Sequence, residues 1–349
     1  MQTSLTRCGL WLIAGLLFSG AALGASAQDG HDEDFGFDDA TLSEPYPHPS
    51  WFKENLHDLQ GDVKDAKAKG KRVAAYFGQK HCPYCRALME KDFGKADITE
   101  YTRRHFDVVP INIWSNEEMW DPKGNVITER EYAVREKANF TPSLLFYDEQ
   151  GNSVFALRGF YPPYKFRAAL EYVADRHYER ETFKEYLERA DPTMSFEPGG
   201  LNEADFFEPP PYALDRSRFA ANKPLIVFFE QGNCHACDVL HTEQLQDVDI
   251  LKELENFESV QLDTHADTKI ITPQGERTTA KKWAHELNVF YTPTLIFYDE
   301  SGKEIIRVDS VVRFFRLLYV LQYVGTKAYE DEPNFQYWRA TNRPANPAQ

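Results

Sequence analysis

The stretch KHCPYCR, residues 80 to 86, sets two cysteines one helical turn apart directly after an apolar run, and NCHACD, residues 233 to 238, does the same. The flanks repeat too, with KRVAAYFG leading into the first pair and KPLIVFFE into the second. Cys82 is matched by Cys234, Pro142 by Pro293 and Phe146 by Phe297 at a nearly constant offset. An offset that persists across separated landmarks marks an internal repeat. The chain therefore reads as two copies of one domain.

Each copy runs in the same order. An apolar strand enters the cysteine pair, and a helical stretch leaves it, from Arg86 to about Lys91 in the first copy and over DVLHTEQL in the second. A second strand follows, FDVVPINI or FESVQLDT, then a glycine-containing turn read as a small hairpin. The next helix begins at Thr128, where TERE has the spacing of a capping box, and near Thr279 in the second copy. Pro142 and Pro293 then open apolar strands, D-E-x-G turns each into a hairpin partner, and an amphipathic helix closes each copy. The expected class is α/β, each domain a mixed sheet flanked by helices.

Length and composition agree with two domains. A chain of 349 residues exceeds what one core usually organises, and 42% hydrophobic with 14% aromatic residues gives each half a sizeable core without cross-links. A formal net charge of -16, spread along the chain, disfavours nucleic acid and anionic membranes as partners. Arg7, the apolar run Leu10 to Phe18 and the small residues Ala25-Ser26-Ala27 read as a cleaved export signal over residues 1–27. An uncleaved membrane anchor is the alternative, but the run is shorter than the roughly 20 residues a spanning helix needs; after cleavage no membrane span is expected. Cys8 leaves with the signal, and the other four cysteines all lie in the two pairs. Residues 28–49 are acidic and expected to stay unstructured until Trp51, with His31 and His48 solvated. Domains are expected at 50–190 and 213–345, joined by a Pro- and Gly-rich linker over 191–212 that leaves room for a short helix.

A cysteine at a strand-to-helix junction meets the free N–H groups and positive end of the helix, which favour thiolate over thiol. Cys82 and Cys234 are thus the candidate nucleophiles. Cys85 and Cys237, one turn on, are the resolving partners of a small-loop disulfide suited to exchange. A cis bond at Thr141-Pro142 and Thr292-Pro293, facing the cysteines, would free the threonine backbone to pair with an extended substrate. Gly159 would let a substrate backbone approach closely, where the second copy has Ser310. His81 and His235 are candidates for tuning their neighbouring cysteines, against a reading as solvent-facing loop residues.

The order of elements, the C-x-x-C pairs and the TPS and TPT segments resemble the thioredoxin fold. The first copy is similar to exported SoxW-like thioredoxins in CPYC, TPSLLFYDEQG and GFYPPYKFRAALEYV. The resemblance spans most of residues 50 to 345. It implies thiol-disulfide exchange with protein substrates, no bound cofactor and, for reduction outside the cytoplasm, a membrane-borne electron donor. Departures are plain: His81 and Asn233 stand where a tryptophan is usual, and Tyr76 and Phe228 where a buried aspartate is usual. Glu230, two positions off, either substitutes for that carboxylate or ends a strand.

Two rival readings remain. A zinc site would need four ligands, hence both cysteine pairs brought face to face, and is not expected; Arg86 and Asp238 after the second cysteines exclude a C-x-x-C-H haem attachment. The other rival is a redox-inactive tandem binding module or chaperone whose disulfides stay closed in an oxidising compartment.

Overall fold

The computed structural model describes residues 36–190 and 200–342. The expected signal, the start of the acidic segment and much of the linker lie outside the described residues.

In the first copy the elements are α1 (Leu59–Ala68), β1 (Arg72–Gly78), α2 (Pro83–Ala87), a π-helical turn at Leu88–Asp92, α3 (Ala96–His105), β2 (Phe106–Asn112), β3 (Glu118–Trp120), β4 (Val126–Thr128), α4 (Glu129–Arg135), β5 (Ser143–Tyr147), β6 (Ser153–Arg158), α5 (Pro163–Ala174) and α6 (Phe183–Ala190). Thr128 caps α4 in a complete capping box with Glu131, as the T-x-x-E spacing predicts. The sheet runs β2-β1-β5-β6, with β1 parallel to β2 and antiparallel to β5. β1 is buried along its whole length because it is central and covered on both faces. Ala74 and Tyr76 enter one core cluster, while Val73, Ala75 and Phe77 enter the other. That two-sided burial is why RVAAYFG is continuously apolar instead of alternating.

The second copy repeats this architecture through β7 (Tyr212–Ala213), β8 (Leu225–Glu230), α7 (His235–Thr242), α8 (Val248–Leu254), β9 (Glu258–Asp263), β10 (Lys269–Ile271), β11 (Arg277–Thr279), α9 (Ala280–Glu286), β12 (Thr294–Tyr298), β13 (Glu304–Val308), α10 (Phe314–Gly325) and α11 (Phe335–Thr341). Its sheet order, β13-β12-β8-β9, is that of the first copy. Ile226 and Phe228 face one core, Leu225, Val227 and Phe229 the other. The described part of the linker, 200–212, holds no helix and ends by entering β7. Phe206 and Phe207 instead pack on the second core, and Glu208 N–H donates to Ser259.

The two copies dock on each other through equivalent residues. Phe140, before Thr141-Pro142, joins the core of the second copy, and its counterpart Tyr291 joins the core of the first. Phe335 of α11 meets the Phe140 ring at 5.3 Å, and Phe183 of α6 meets Phe290 at 5.2 Å. Lys165 of α5 donates to the Phe290 carbonyl (2.8 Å), and Arg316, at the matching place in α10, donates to the Thr141 carbonyl (3.1 Å). Near the centre, Val311 N–H donates to the carbonyl of Phe160, its own equivalent (3.0 Å). The same surface patch is thus used by both copies, the pattern of a two-fold contact made within one chain.

The acidic segment differs from expectation from Gly36 onward. It has no helix or strand, yet it is held against both copies. Asp39 is buried; its carboxylate accepts from the Tyr84 hydroxyl (2.8 Å) and from the N–H groups of Phe315 (3.0 Å) and Arg316 (2.9 Å). It therefore caps α10, whose own N-cap residue Arg313 supplies no side-chain bond. Leu42 also pairs with His81, donating to its carbonyl (3.2 Å). Charge and low hydropathy argue for disorder only when the acids find no buried donors, and here one of them does. Asp39→Ala is expected to cost about 2 kcal/mol, the loss of charge-assisted bonds at a helix start. A shift in the urea midpoint checks this.

Candidate functional site

Cys82 is the N-cap residue of α2, in extended backbone conformation, with proline next at the first helical position. The Cys85 N–H points at the Cys82 sulfur from 3.0 Å. In the second copy Cys234 caps α7 and receives the Cys237 N–H at 3.1 Å. Both pairs are closed as disulfides, Cys82 to Cys85 and Cys234 to Cys237. The second cysteine of each pair is wholly buried, and the first is nearly so, at 4% exposure for Cys82 and 7% for Cys234.

Thr141-Pro142 and Thr292-Pro293 are cis, and each threonine stands over its cysteine pair. The Cys82 sulfur lies 3.5 Å from the Thr141 carbonyl oxygen and 3.3 Å from its hydroxyl. The Cys234 sulfur lies 3.6 and 3.5 Å from the same atoms of Thr292. One helix N–H and a threonine thus converge on each first sulfur. Reduced, that sulfur would accept hydrogen bonds from the helix N–H and the threonine hydroxyl, which favour the thiolate.

Gly159 adopts φ 124°, a region that favours glycine, and its N–H donates to the Pro142 carbonyl (2.8 Å). What approaches it is not open space for a substrate: a Cβ there would fall on the Ser310 hydroxyl of the second copy. The Thr141 carbonyl is likewise already taken by Arg316. The first copy's pairing edge is occupied by the second.

The remaining candidates sit further out. His81 is exposed, with Nδ1 3.0 Å from the Leu42 carbonyl oxygen, and His235 is an exposed residue at the start of α7. Tyr76 is buried, its hydroxyl 2.6 Å from that of Tyr46; burial drives both phenols up, Tyr46 to about 12. Glu230 does end a strand, β8. It is fully buried, held by His241 Nε2 at 3.0 Å and by the Gln261 amide at 2.9 Å. Among the described residues no group of three or more His, Cys, Asp or Glu side chains could hold a metal, and no helix is long and apolar enough to cross a membrane.

Gln79, Asp39 and Arg316 were not legible as site residues. The Gln79 amide donates to the Thr141 hydroxyl (2.8 Å) and to Gln336 of α11 (3.0 Å), while Trp114 donates to its oxygen (2.9 Å). The repeat carried a signal for it: Gln231 holds the matching place before the second pair.

A family model described as a thioredoxin-like domain matches residues 59–174 and again 218–325, well over half of the chain. No curated protein matches it. Among solved structures it is similar to a thioredoxin-fold protein from Helicobacter pylori, at 21% identity over 38% of this chain and 97% of that one, TM-score 0.31. A thioredoxin from Thermus thermophilus matches at 22% identity over 35% of this chain and 87% of that one, TM-score 0.28. A disulphide isomerase from Xylella fastidiosa Temecula1 matches at 17% identity over 43% and 98%, TM-score 0.24.

Proposed function

The chain belongs to the thioredoxin-like domain family, in tandem, and from that premise we propose that it is an exported thiol-disulfide oxidoreductase acting on protein substrates. The observation that carries this reading is the repeated convergence of a helix N–H and the hydroxyl of a cis-proline threonine on the sulfur of Cys82 and of Cys234. Such surroundings stabilise a thiolate, the species that attacks a disulfide. Cys82 attacks the substrate disulfide and expels one substrate thiolate, forming a mixed disulfide; Cys85 then attacks Cys82, releasing the second thiolate and closing the internal disulfide. Thr292-Pro293 offers a backbone edge for the client, and Thr141-Pro142 offers one once the copies separate and Arg316 leaves its carbonyl; His81 and His235 sit exposed next to the two first cysteines. Export rests on the signal pattern of residues 1–27 and on the confinement of the remaining cysteines to pairs. A membrane-borne donor would return the electrons if the net direction is reduction.

One observation favours a second reading. The first cysteine of each pair is almost fully buried, which suits a binding module with closed disulfides. Graded glutathione buffers, with alkylation and peptide mass spectrometry resolving each pair, separate the two. The oxidoreductase reading expects the first pair to open between roughly -270 and -120 mV, the span of dedicated exchange proteins. If both pairs stay closed down to about -300 mV, where structural disulfides lie, the binding module takes its place.

A further inference from the structure

Arg316 is the buried cation that the exchange chemistry above leaves unused. It belongs to α10 of the second copy, is 2% exposed, and lies against the first copy's site. Its guanidinium donates to the Thr141 carbonyl (3.1 Å), the Val311 carbonyl (3.3 Å) and the Ser310 hydroxyl (3.4 Å). It stacks 3.4 Å over the Tyr84 ring, within the C-P-Y-C sequence itself, and 5.0 Å from the Phe140 ring. All of these partners are neutral. Among the described residues no carboxylate stands within ion-pair distance of it. Asp39 uses its oxygens on Tyr84 and on backbone N–H groups, that of Arg316 among them.

A guanidinium taken out of water without an anion is costly, and burial here pushes Arg316 below its ordinary value. Asp39 attracts it only from beyond ion-pair distance, and a thiolate at the first cysteine pair would add a second anion. The oxygen of Thr141 that accepts from Arg316 is the same atom that lies 3.5 Å from the Cys82 sulfur. We propose that Arg316 is a positioning residue for the first cysteine pair, supplied by the second copy: it holds reduced Cys82 as the thiolate, so docking makes this pair a stronger oxidant. By linkage, reduction of the pair tightens the docking. This rests on the exchange function proposed above. At the equivalent place beside the second pair Lys165 donates to the Phe290 carbonyl, which lies further along the chain from its cis proline, Pro293, than the Thr141 carbonyl that Arg316 takes lies from Pro142.

The step balances with glutathione as reductant. Two glutathione thiols become glutathione disulfide, and the Cys82–Cys85 bond breaks to Cys82 thiolate and Cys85 thiol, with one proton released. The groups facing Arg316 are Tyr84, Asp39, Tyr161 and Arg339. Lys80 and His81 lie exposed beside Cys82 and are retained in every variant.

The test compares full-length wild type, Arg316→Gln and Arg316→Lys. It measures the pH midpoint of Cys82 alkylation by iodoacetamide and the glutathione equilibrium of each pair, peptide by peptide. Arg316→Gln should raise the Cys82 midpoint by about one unit and shift the equilibrium of the first pair about tenfold toward disulfide, 30 mV for a two-electron couple. Arg316→Lys should recover most of both, and the Cys234–Cys237 equilibrium, unchanged throughout, reports an intact second copy. A Cys82 midpoint and potential equal to wild type in Arg316→Gln would overturn the inference. Should Arg316→Gln not fold, Gly159→Val, which prises the copies apart with Arg316 still in the chain, must show the same rise; wild-type values there overturn it equally. If neither pair of the wild type opens, the exchange reading itself falls, and the inference with it.

Discussion

A chain carrying both Cys82→Ser and Cys234→Ser loses insulin reduction and the refolding of scrambled ribonuclease to the uncatalysed background, a fall on the order of 10³ or more, as expected when a nucleophile is deleted. Serine keeps the size of the side chain but not a nucleophile that can form a disulfide, so the mixed-disulfide step is removed while the fold stays. The single variants divide the labour. Cys82→Ser removes most activity if the first copy does the chemistry, and Cys234→Ser removes most if the second does. Cys85→Ser behaves differently: Cys82 still attacks, nothing resolves the product, and a mixed disulfide with the client accumulates, visible on non-reducing gels. Activity unchanged in the double variant would leave the tandem binding module as the reading.

The repeat, the sheet and the cysteine pairs were legible in the sequence because each leaves a local mark. Central strands read as unbroken apolar runs, Thr128 and Glu131 spell a capping box, and Pro142 and Pro293 stand at the start of strands where a proline needs a reason. The helices α1, α3, α6 and α8 leave little mark in the sequence because charged residues interrupt their apolar faces, and α11, FQYWRAT, because its few turns carry mostly aromatic and polar residues without a clear period. Some caps were there to be seen: Asp247 opens α8 and Asn334 opens α11. The docking of the copies left no readable mark. Phe140, Tyr291, Phe183 and Phe335 look like ordinary core residues in sequence, and they are buried, but partly by the other copy. Arg316, in VVRFFR, reads as a solvated helix charge. Whether a charge is solvated or buried depends on what packs over it, and that is a property of the second copy's placement.

The docking can be opened at one position. Gly159→Val puts a branched side chain where the Ser310 hydroxyl sits and forces valine into φ 124°, a region that β-branched residues avoid. Overpacking costs typically 1–3 kcal/mol and positive φ a further ~1–2 kcal/mol. Gly159 lies at the centre of the contact, between the Pro142 carbonyl it donates to and the Phe160 carbonyl that receives Val311. The clash is therefore relieved most directly by separating the copies. A shift of ~3 kcal/mol moves an open–closed equilibrium roughly a hundredfold. Reduced Cys82, 4% exposed when docked, is expected to react with iodoacetamide at least tenfold faster at a pH above its midpoint, and small-angle scattering to show a larger radius of gyration. Gly159→Ala with Ser310→Gly removes the steric part and keeps the backbone part, so it should restore much of the protection. Equal Cys82 reactivity in wild type and Gly159→Val would mean that the copies are already apart in solution. In that event the Thr141 edge would be open to clients, and Arg316 would have no hold on the thiolate.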